Sequence, residues 1–241
     1  GQITVNSNGA ITAGSAGIRT GNTGVGATDI NSDAVITANT DGISASASSG
    51  LVDIDVSAAI NADNNNGGLG DGIAVVSSLG AVQIDTTSGG TIAGTAETGI
   101  AVTISGVGKS GDVAVTQGGD IGASGNGVDV SGIDVKLFNA ANDASITITS
   151  IGNIYVDDNV GNPAQNGIDA FAIGKSAVII NANAKQVITG ADVGIVTTTA
   201  GSVAITTNAE VNGNKTGIAG LTSSATDTVT RMPLSGCRGR A

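Results

Sequence analysis

The sequence predicts an all-β fold, a right-handed parallel β-helix (a three-sided β-solenoid) of about eight coils with roughly 25–30 residues each. The first observation behind this prediction is composition. The 241 residues include 39 glycines, two phenylalanines, one tyrosine and no tryptophan, so the core has to be built from Ile, Val and Ala. These residues suit a pleated surface on which each side chain stacks on its counterpart in the next strand. Hydrophobic residues form 40% of the chain and recur at period two, which argues against disorder.

The second observation is an internal repeat, marked by a glycine that precedes Ile or Val at the start of a short apolar run. From the first of these glycines to the last, 200 residues hold seven steps with a mean of about 28.6 residues, within the range of solenoid proteins. The pairs are Gly17-Ile18, Gly42-Ile43, Gly72-Ile73, Gly99-Ile100, Gly127-Val128, Gly167-Ile168, Gly194-Ile195 and Gly217-Ile218.

The third observation is that two further short strands recur in fixed order between these pairs. A β-branched alternation occupies 3–5, 28–30, 52–54, 82–84, 113–115, 146–148, 178–180 and 203–205. It is followed by a strand centred on Ile11, Ile36, Ile60, Ile92, Ile121, Ile154, Ile188 or Val211. Three strands per coil, repeated eight times, predict three flat faces.

Short strands of this kind gain stability only by stacking coil on coil, which at ~4.8 Å per coil gives a rod of roughly 38 Å. We expect the glycine before each third strand to supply a positive φ at the corner. A β-propeller is the alternative for repeats of this size. It requires blades of ~40 residues made of antiparallel hairpins, and the sequence has neither.

Irregular segments are predicted in two steps of the repeat. The step from Gly127 to Gly167 is 40 residues long and includes a predicted loop at 157–165, and a second loop is predicted at 64–70. Residues 1–230 are predicted to form a single β-helix domain, and residues 231–241 an atypical tail that is a cap, a processing remnant or disordered. Because the chain begins directly in a strand-like segment, we interpret it as a fragment or processed piece of a longer protein.

The net charge is −11, from 20 acidic and nine basic residues. An acidic surface disfavours nucleic acid and anionic lipid as partners. No apolar run approaches the ~18 residues of a membrane-spanning helix, so we expect no membrane insertion by this segment. The single cysteine, Cys237, has no partner for an internal disulfide.

Catalytic chemistry has few candidates because the chain has no histidine, which excludes Ser-His-Asp and Cys-His catalysis. We expect no enzyme activity and no catalytic, cofactor-binding or metal-binding residues. The alignment of the repeats does stack Asp29, Asp53, Asp55 and Asp85 on the outside of the first face. They fall in two columns of outward residues, one that runs from Thr4 through Asp29 and Asp53, and one that runs from Asn6 through Asp55 and Asp85. Three interpretations remain open for them: a solvated acidic face, a site for a hard cation such as Ca²⁺, and a carboxylate site of a polysaccharide-active enzyme. Lys109, Lys136, Lys175 and Arg19 fall outside these columns, which disfavours the third.

Several segments of the repeat resemble the passenger regions of bacterial autotransporters and related large surface adhesins. Examples are Gly90-Thr91-Ile92-Ala93-Gly94 and Gly125-Asn126-Gly127-Val128-Asp129-Val130. The resemblance covers roughly residues 1–220 and implies export to the cell surface as part of a long β-helix. It implies an extracellular stalk or adhesin whose partner is a host or neighbouring-cell surface. The alternatives are a filament subunit that stacks end to end on copies of itself, since open strand edges invite pairing, and a polysaccharide-active β-helix enzyme.

Overall fold

Eight coils of short parallel strands form the structure, a computed structural model that describes residues 1–63, 70–93, 95–141, 143–157, 165–183 and 186–222. Strands of successive coils pair in parallel, and no helix occurs in these ranges. The predicted all-β solenoid fold is therefore confirmed. The predicted loop at 64–70 lies outside the described residues except for Gly70, as does the loop at 157–165 except for its two end residues. The tail at 231–241 lies wholly outside them, and the domain boundary at residue 230 stays a prediction.

The first face is an eight-stranded sheet with one strand from each coil. Its strands are β1 (Ile3–Ser7), β4 (Thr28–Ser32), β7 (Val52–Val56), β10 (Val82–Thr86), β12 (Val113–Gln117), β14 (Ile146–Ser150), β17 (Val178–Ala182) and β20 (Val203–Thr207). Every predicted first-face alternation lies in one of these strands. Because residues alternate between the two sides of a strand, one β-branched set points inward in all eight coils.

The second face has shorter strands, in two three-stranded sheets that isolated bridges connect. They are β2 (Ile11–Ala13), β5 (Ile36–Ala38), β8 (Ile60–Asn61), β15 (Ile154–Tyr155), β18 (Val187–Gly190) and β21 (Glu210–Gly213). Between β8 and β15 the bridges Ile60 to Ile92, Ile92 to Ile121 and Ile121 to Ile154 continue the ladder. All eight predicted second-face positions therefore stack in register.

The third face is again an eight-stranded parallel sheet. Its strands are β3 (Ile18–Asn22), β6 (Ile43–Ala47), β9 (Ile73–Ser77), β11 (Thr98–Ile104), β13 (Ser131–Leu137), β16 (Asn166–Ala172), β19 (Val193–Thr199) and β22 (Thr216–Thr222). Ile133 pairs with both Ile100 and Ile168, so Gly132-Ile133 opens the strand of the fifth coil. The prediction that Gly127-Val128 does so is wrong. Val128 instead forms an isolated bridge to Val156, upstream of the third face.

The core is one continuous cluster of Ile, Val and Ala between the three faces. Each coil contributes at least one Ile or Val from each face, and in the central coils these side chains are fully buried, as Ile84, Ile100 and Ile121 illustrate. Stacked β-branched side chains fill the narrow interior without aromatic residues. Several inward residues of the outermost coils are only partly buried: Val5 and Ile11 at one end, and Ile205, Val211 and Ile218 at the other.

In seven of the eight coils, close packing requires the glycine at the start of the third-face strand. The predicted positive φ at these corners is wrong, because the described glycines with positive φ are Gly108, Gly122 and Gly125. A Cβ placed on Gly99 would lie 2.5 Å from the carbonyl oxygen of Gly132 and 2.5 Å from Cγ2 of Ile121. The same two kinds of atom crowd the corresponding position at Gly17, Gly42, Gly72, Gly132, Gly167 and Gly194. The second-face Ile or Val therefore occupies the space that a side chain here would need.

Candidate functional sites on the outer surface

The four aspartates of the first face lie where the repeat alignment predicts. Asp53 pairs with Asp29 on one side and Gln83 on the other, and Asp55 lies between Asn31 and Asp85. The register confirms both outward columns along all eight coils. As predicted, Lys109, Lys136, Lys175 and Arg19 are not members of these columns. Parallel pairing places column neighbours ~4.8 Å apart.

Amide side chains interleave with these carboxylates and offset part of their repulsion. The Asn31 amide donates to Asp29 Oδ1 at 2.8 Å and to Asn6 Oδ1 at 3.2 Å. The Gln83 amide donates to Asp85 Oδ2 at 2.8 Å. Each amide thus bonds to an oxygen acceptor beside it in these columns.

Some repulsion between these carboxylates remains, and it raises the pKa values of Asp53 and Asp55. Partial loss of hydration raises the pKa of Asp53, and the charges of Asp55, Asp29 and Asp85 raise it further. The pKa of Asp55 is raised in the same way, with Asp85 as its strongest charged neighbour. Within the part of the chain that the structure describes, no three Asp, Glu or Cys side chains have the arrangement of a metal site. All three interpretations of these aspartates, a solvated acidic face, a cation site and a carboxylate site of a polysaccharide-active enzyme, stay predictions.

A second acidic group lies at the corner that leads into the third face. The Asp71 backbone N–H donates to Asp41 Oδ1 at 3.2 Å, and the Thr98 N–H donates to Asp71 Oδ1 at 3.1 Å. Burial raises the pKa of Asp71 to about 7, and the charges of Asp41 and Glu97 act in the same direction against the hydrogen bonds from Thr98. Burial also raises the pKa of Glu97, followed by the charges of Asp129, Asp41 and Asp63.

Sequence reasoning missed this corner group, although a signal for it exists. Asp41-Gly42-Ile43 and Asp71-Gly72-Ile73 place an aspartate directly before the corner glycine in two successive coils. The repeat therefore stacks them, as the hydrogen bonds of Gly17 N–H to Asp41 O and Gly42 N–H to Asp71 O show. Alignment of the residues before each Gly-Ile pair would have predicted the group.

Replacing Asp71 by asparagine is expected to raise the free energy of unfolding at pH 8 by at least about 1 kcal/mol. The folded-state pKa is raised, so the carboxyl has no pH-dependent cost well below pH ~4, where both the folded and the unfolded chain are protonated. Its cost grows as the pH rises from ~4 through about 7, because the unfolded chain ionises first. Asparagine keeps an oxygen that accepts the hydrogen bond from the Thr98 N–H. Urea unfolding at pH 4 and pH 8 should therefore show that the free energy of unfolding falls less between these pH values for Asp71→Asn than for the unaltered chain.

The control for this prediction is Glu210→Gln, which removes an exposed carboxyl near the other end of the rod. We expect Glu210→Gln to leave the difference in the free energy of unfolding between pH 4 and pH 8 unchanged. If the free energy of unfolding of Asp71→Asn changed with pH as it does for the unaltered chain, this pH dependence could not be assigned to Asp71.

A third group lies on the outside of the third face, where β13 and β16 pair. Asp134 is opposite Asp169, and Lys136 is opposite Phe171. The Lys136 ammonium forms an ion pair with Asp134 Oδ2, and the Asn166 amide donates to Asp169 Oδ2 at 3.1 Å. Burial raises the pKa of Asp134 against the hydrogen bond and charge of Lys136, and burial followed by the Asp134 charge raises the pKa of Asp169.

Both phenylalanines of the chain lie beside this group. The Phe138 and Phe171 rings have their centroids 5.7 Å apart at an interplanar angle of 50°. Phe138 is 46% exposed, as is Ile173, which lies next to it on the following coil. This surface was not predicted from the sequence, because the incorrect choice of Gly127 as the corner of the fifth coil aligns Asp129 with Asp169. The similarity of Gly132-Ile133-Asp134 to Gly167-Ile168-Asp169 is the signal that would have found it.

Comparison with known proteins yields no relative: no family model, no curated protein and no solved structure matches the chain. Among the described residues there is also no helix with the length and hydropathy needed to cross a membrane.

Proposed function

We propose that this chain is a rigid segment of an extracellular, surface-displayed stalk or adhesin that presents its outer faces to another cell and has no catalytic activity. The observation that supports this most strongly is the unbroken core, in which three rows of Ile and Val pass through all eight coils. Each coil is held by the coils on both sides, so the rod is stiff along its length.

Two further features support the proposal. The net charge of −11 favours solubility and disfavours nucleic acid or anionic lipid as partners. The repeat segments around Gly90 and Gly125 resemble those in the passenger regions of bacterial autotransporters, which are expected to be displayed on the cell surface.

Adhesion of protein-coated beads tests the proposal. The full chain is coupled to fluorescent beads, and attachment to a panel of epithelial, bacterial and fungal cells is counted against beads that carry an unrelated acidic protein. We expect attachment above the control for at least one cell type. Folded, bead-bound chain that attaches to no cell type would overturn the adhesive function.

A filament subunit is the second candidate, and the half-buried apolar residues of the outermost coils favour it. Val5 and Ile11 at one end belong to the same rows as Ile205 and Val211 at the other. Parallel pairing between two copies would continue these rows and their strand ladders. Electron microscopy over a range of protein concentrations distinguishes the candidates, since a filament subunit gives rods that lengthen with concentration, whereas single short rods throughout would exclude it.

A further inference from the structure

The two phenylalanines of the chain lie outside the core of the solenoid. A buried phenylalanine ring contributes strongly to a core, yet this chain builds its core without one and places both rings on the outer surface of adjacent coils. Clustered aromatic and aliphatic side chains on a surface mark a site of interaction. We propose that this surface, the Phe138–Phe171 platform, binds a neutral glycan.

The platform consists of three pairs of outward side chains, two on β13 and β16 and the third on the residues that directly follow these strands. Asp134 and Asp169 form its polar end, Lys136 and Phe171 its centre, and Phe138 and Ile173 its apolar end. Side chains two residues apart on a strand are ~6.6 Å apart, so the platform is ~13 Å long, the size of a di- or trisaccharide. The flat parallel sheet beneath it keeps these groups in place without a loop.

The combination of groups selects the ligand class. A pyranose ring has an apolar C–H face, which packs on aromatic rings, and hydroxyl groups at its edge, which donate to carboxylates. Lys136 provides further donors beside the rings, and Asp169 presents a second oxygen, since Asn166 bonds to Oδ2. An apolar peptide would match the rings but would bring no side-chain donor to Asp169 Oδ1, whereas a sugar hydroxyl group supplies one.

Charge distinguishes a neutral glycan from an acidic one. The platform holds two carboxylates and one ammonium group, and the ammonium is already paired with Asp134. The chain as a whole carries a charge of −11. A uronate or a sulfated sugar would be repelled by the platform carboxylates and by the net negative charge of the chain, whereas neutral hexose or N-acetylhexosamine units would not.

The inference rests on the proposed adhesive function and names the ligand class that the adhesin recognises. It is tested by saturation-transfer NMR and calorimetry on the full chain with four probes: cellotetraose, chitotetraose, maltotetraose and mannotetraose. We expect at least one probe to bind, and Phe171→Ala and Phe138→Ala each to weaken its binding about tenfold. Val76→Ala is the matched control, because Val76 is 53% exposed in the same outward column of the third face. It should leave binding unchanged.

Two results would overturn the glycan site: no binding of any probe to the folded chain, or binding that survives both Phe substitutions. The bead assay separates this failure from failure of the adhesive function. If beads that carry the Phe138→Ala/Phe171→Ala double variant still attach to cells, adhesion stands and the platform is not its site. If the probes bind but beads with the unaltered chain attach to no cell, the glycan site stands and the adhesive function fails.

Discussion

The substitution Gly99→Ala is expected to lower the free energy of unfolding by about 3 kcal/mol. The added methyl group would lie 2.5 Å from both the Gly132 carbonyl oxygen and Ile121 Cγ2. The carbonyl belongs to the paired backbone of the next coil, and the isoleucine is buried in the core, so neither moves without loss of packing. Urea unfolding followed by circular dichroism measures the effect.

Gly14→Ala is the matched control, since a Cβ at Gly14 meets nothing within 4 Å. We expect it to change stability by less than about 0.5 kcal/mol, or to raise it slightly because alanine restricts the unfolded chain. If Gly99→Ala were as mild as Gly14→Ala, the corner would have room for a side chain and close packing would not explain the stacked glycines.

Ile180→Ala is expected to destabilise the protein by about 2–5 kcal/mol, since it removes a fully buried side chain from the first-face row and leaves a cavity. Its neighbour Ile179 points outward on the same strand and is 36% exposed, so Ile179→Ala should cost less than about 1 kcal/mol. Each variant loses the same atoms from the same strand, and the comparison therefore isolates burial. Equal losses for the two variants would contradict the inward and outward assignment of this strand.

These predictions follow from a register that the sequence alone largely specifies. On the first face, Ile, Val and Thr alternate so regularly that a shift by one residue would turn the apolar set towards water. All eight coils consequently align as predicted, and with them Asp29, Asp53, Asp55 and Asp85.

The third face was predictable in seven of its eight coils. Two candidate corners, Gly127-Val128 and Gly132-Ile133, lie five residues apart in the fifth coil and are equivalent as local patterns. Packing distinguishes them: Gly132 stacks between Gly99 and Gly167 against Ile154, whereas Gly127 lies against Tyr155 and Asp157. The choice also determines which carboxylate faces Asp169, which is why the platform at Phe138 and Phe171 escaped prediction.

The sequence by itself determined the solenoid fold, the strand order within each coil and the stacked rows of the core. These depend on which side of a strand each residue occupies, and that is a local property of alternation. The tertiary structure alone decided why the corner residues are glycines, how far Asp71 is desolvated and that the two phenylalanine rings meet. Each of these depends on atoms about 30 residues apart in the chain, which come into contact only when the coils stack.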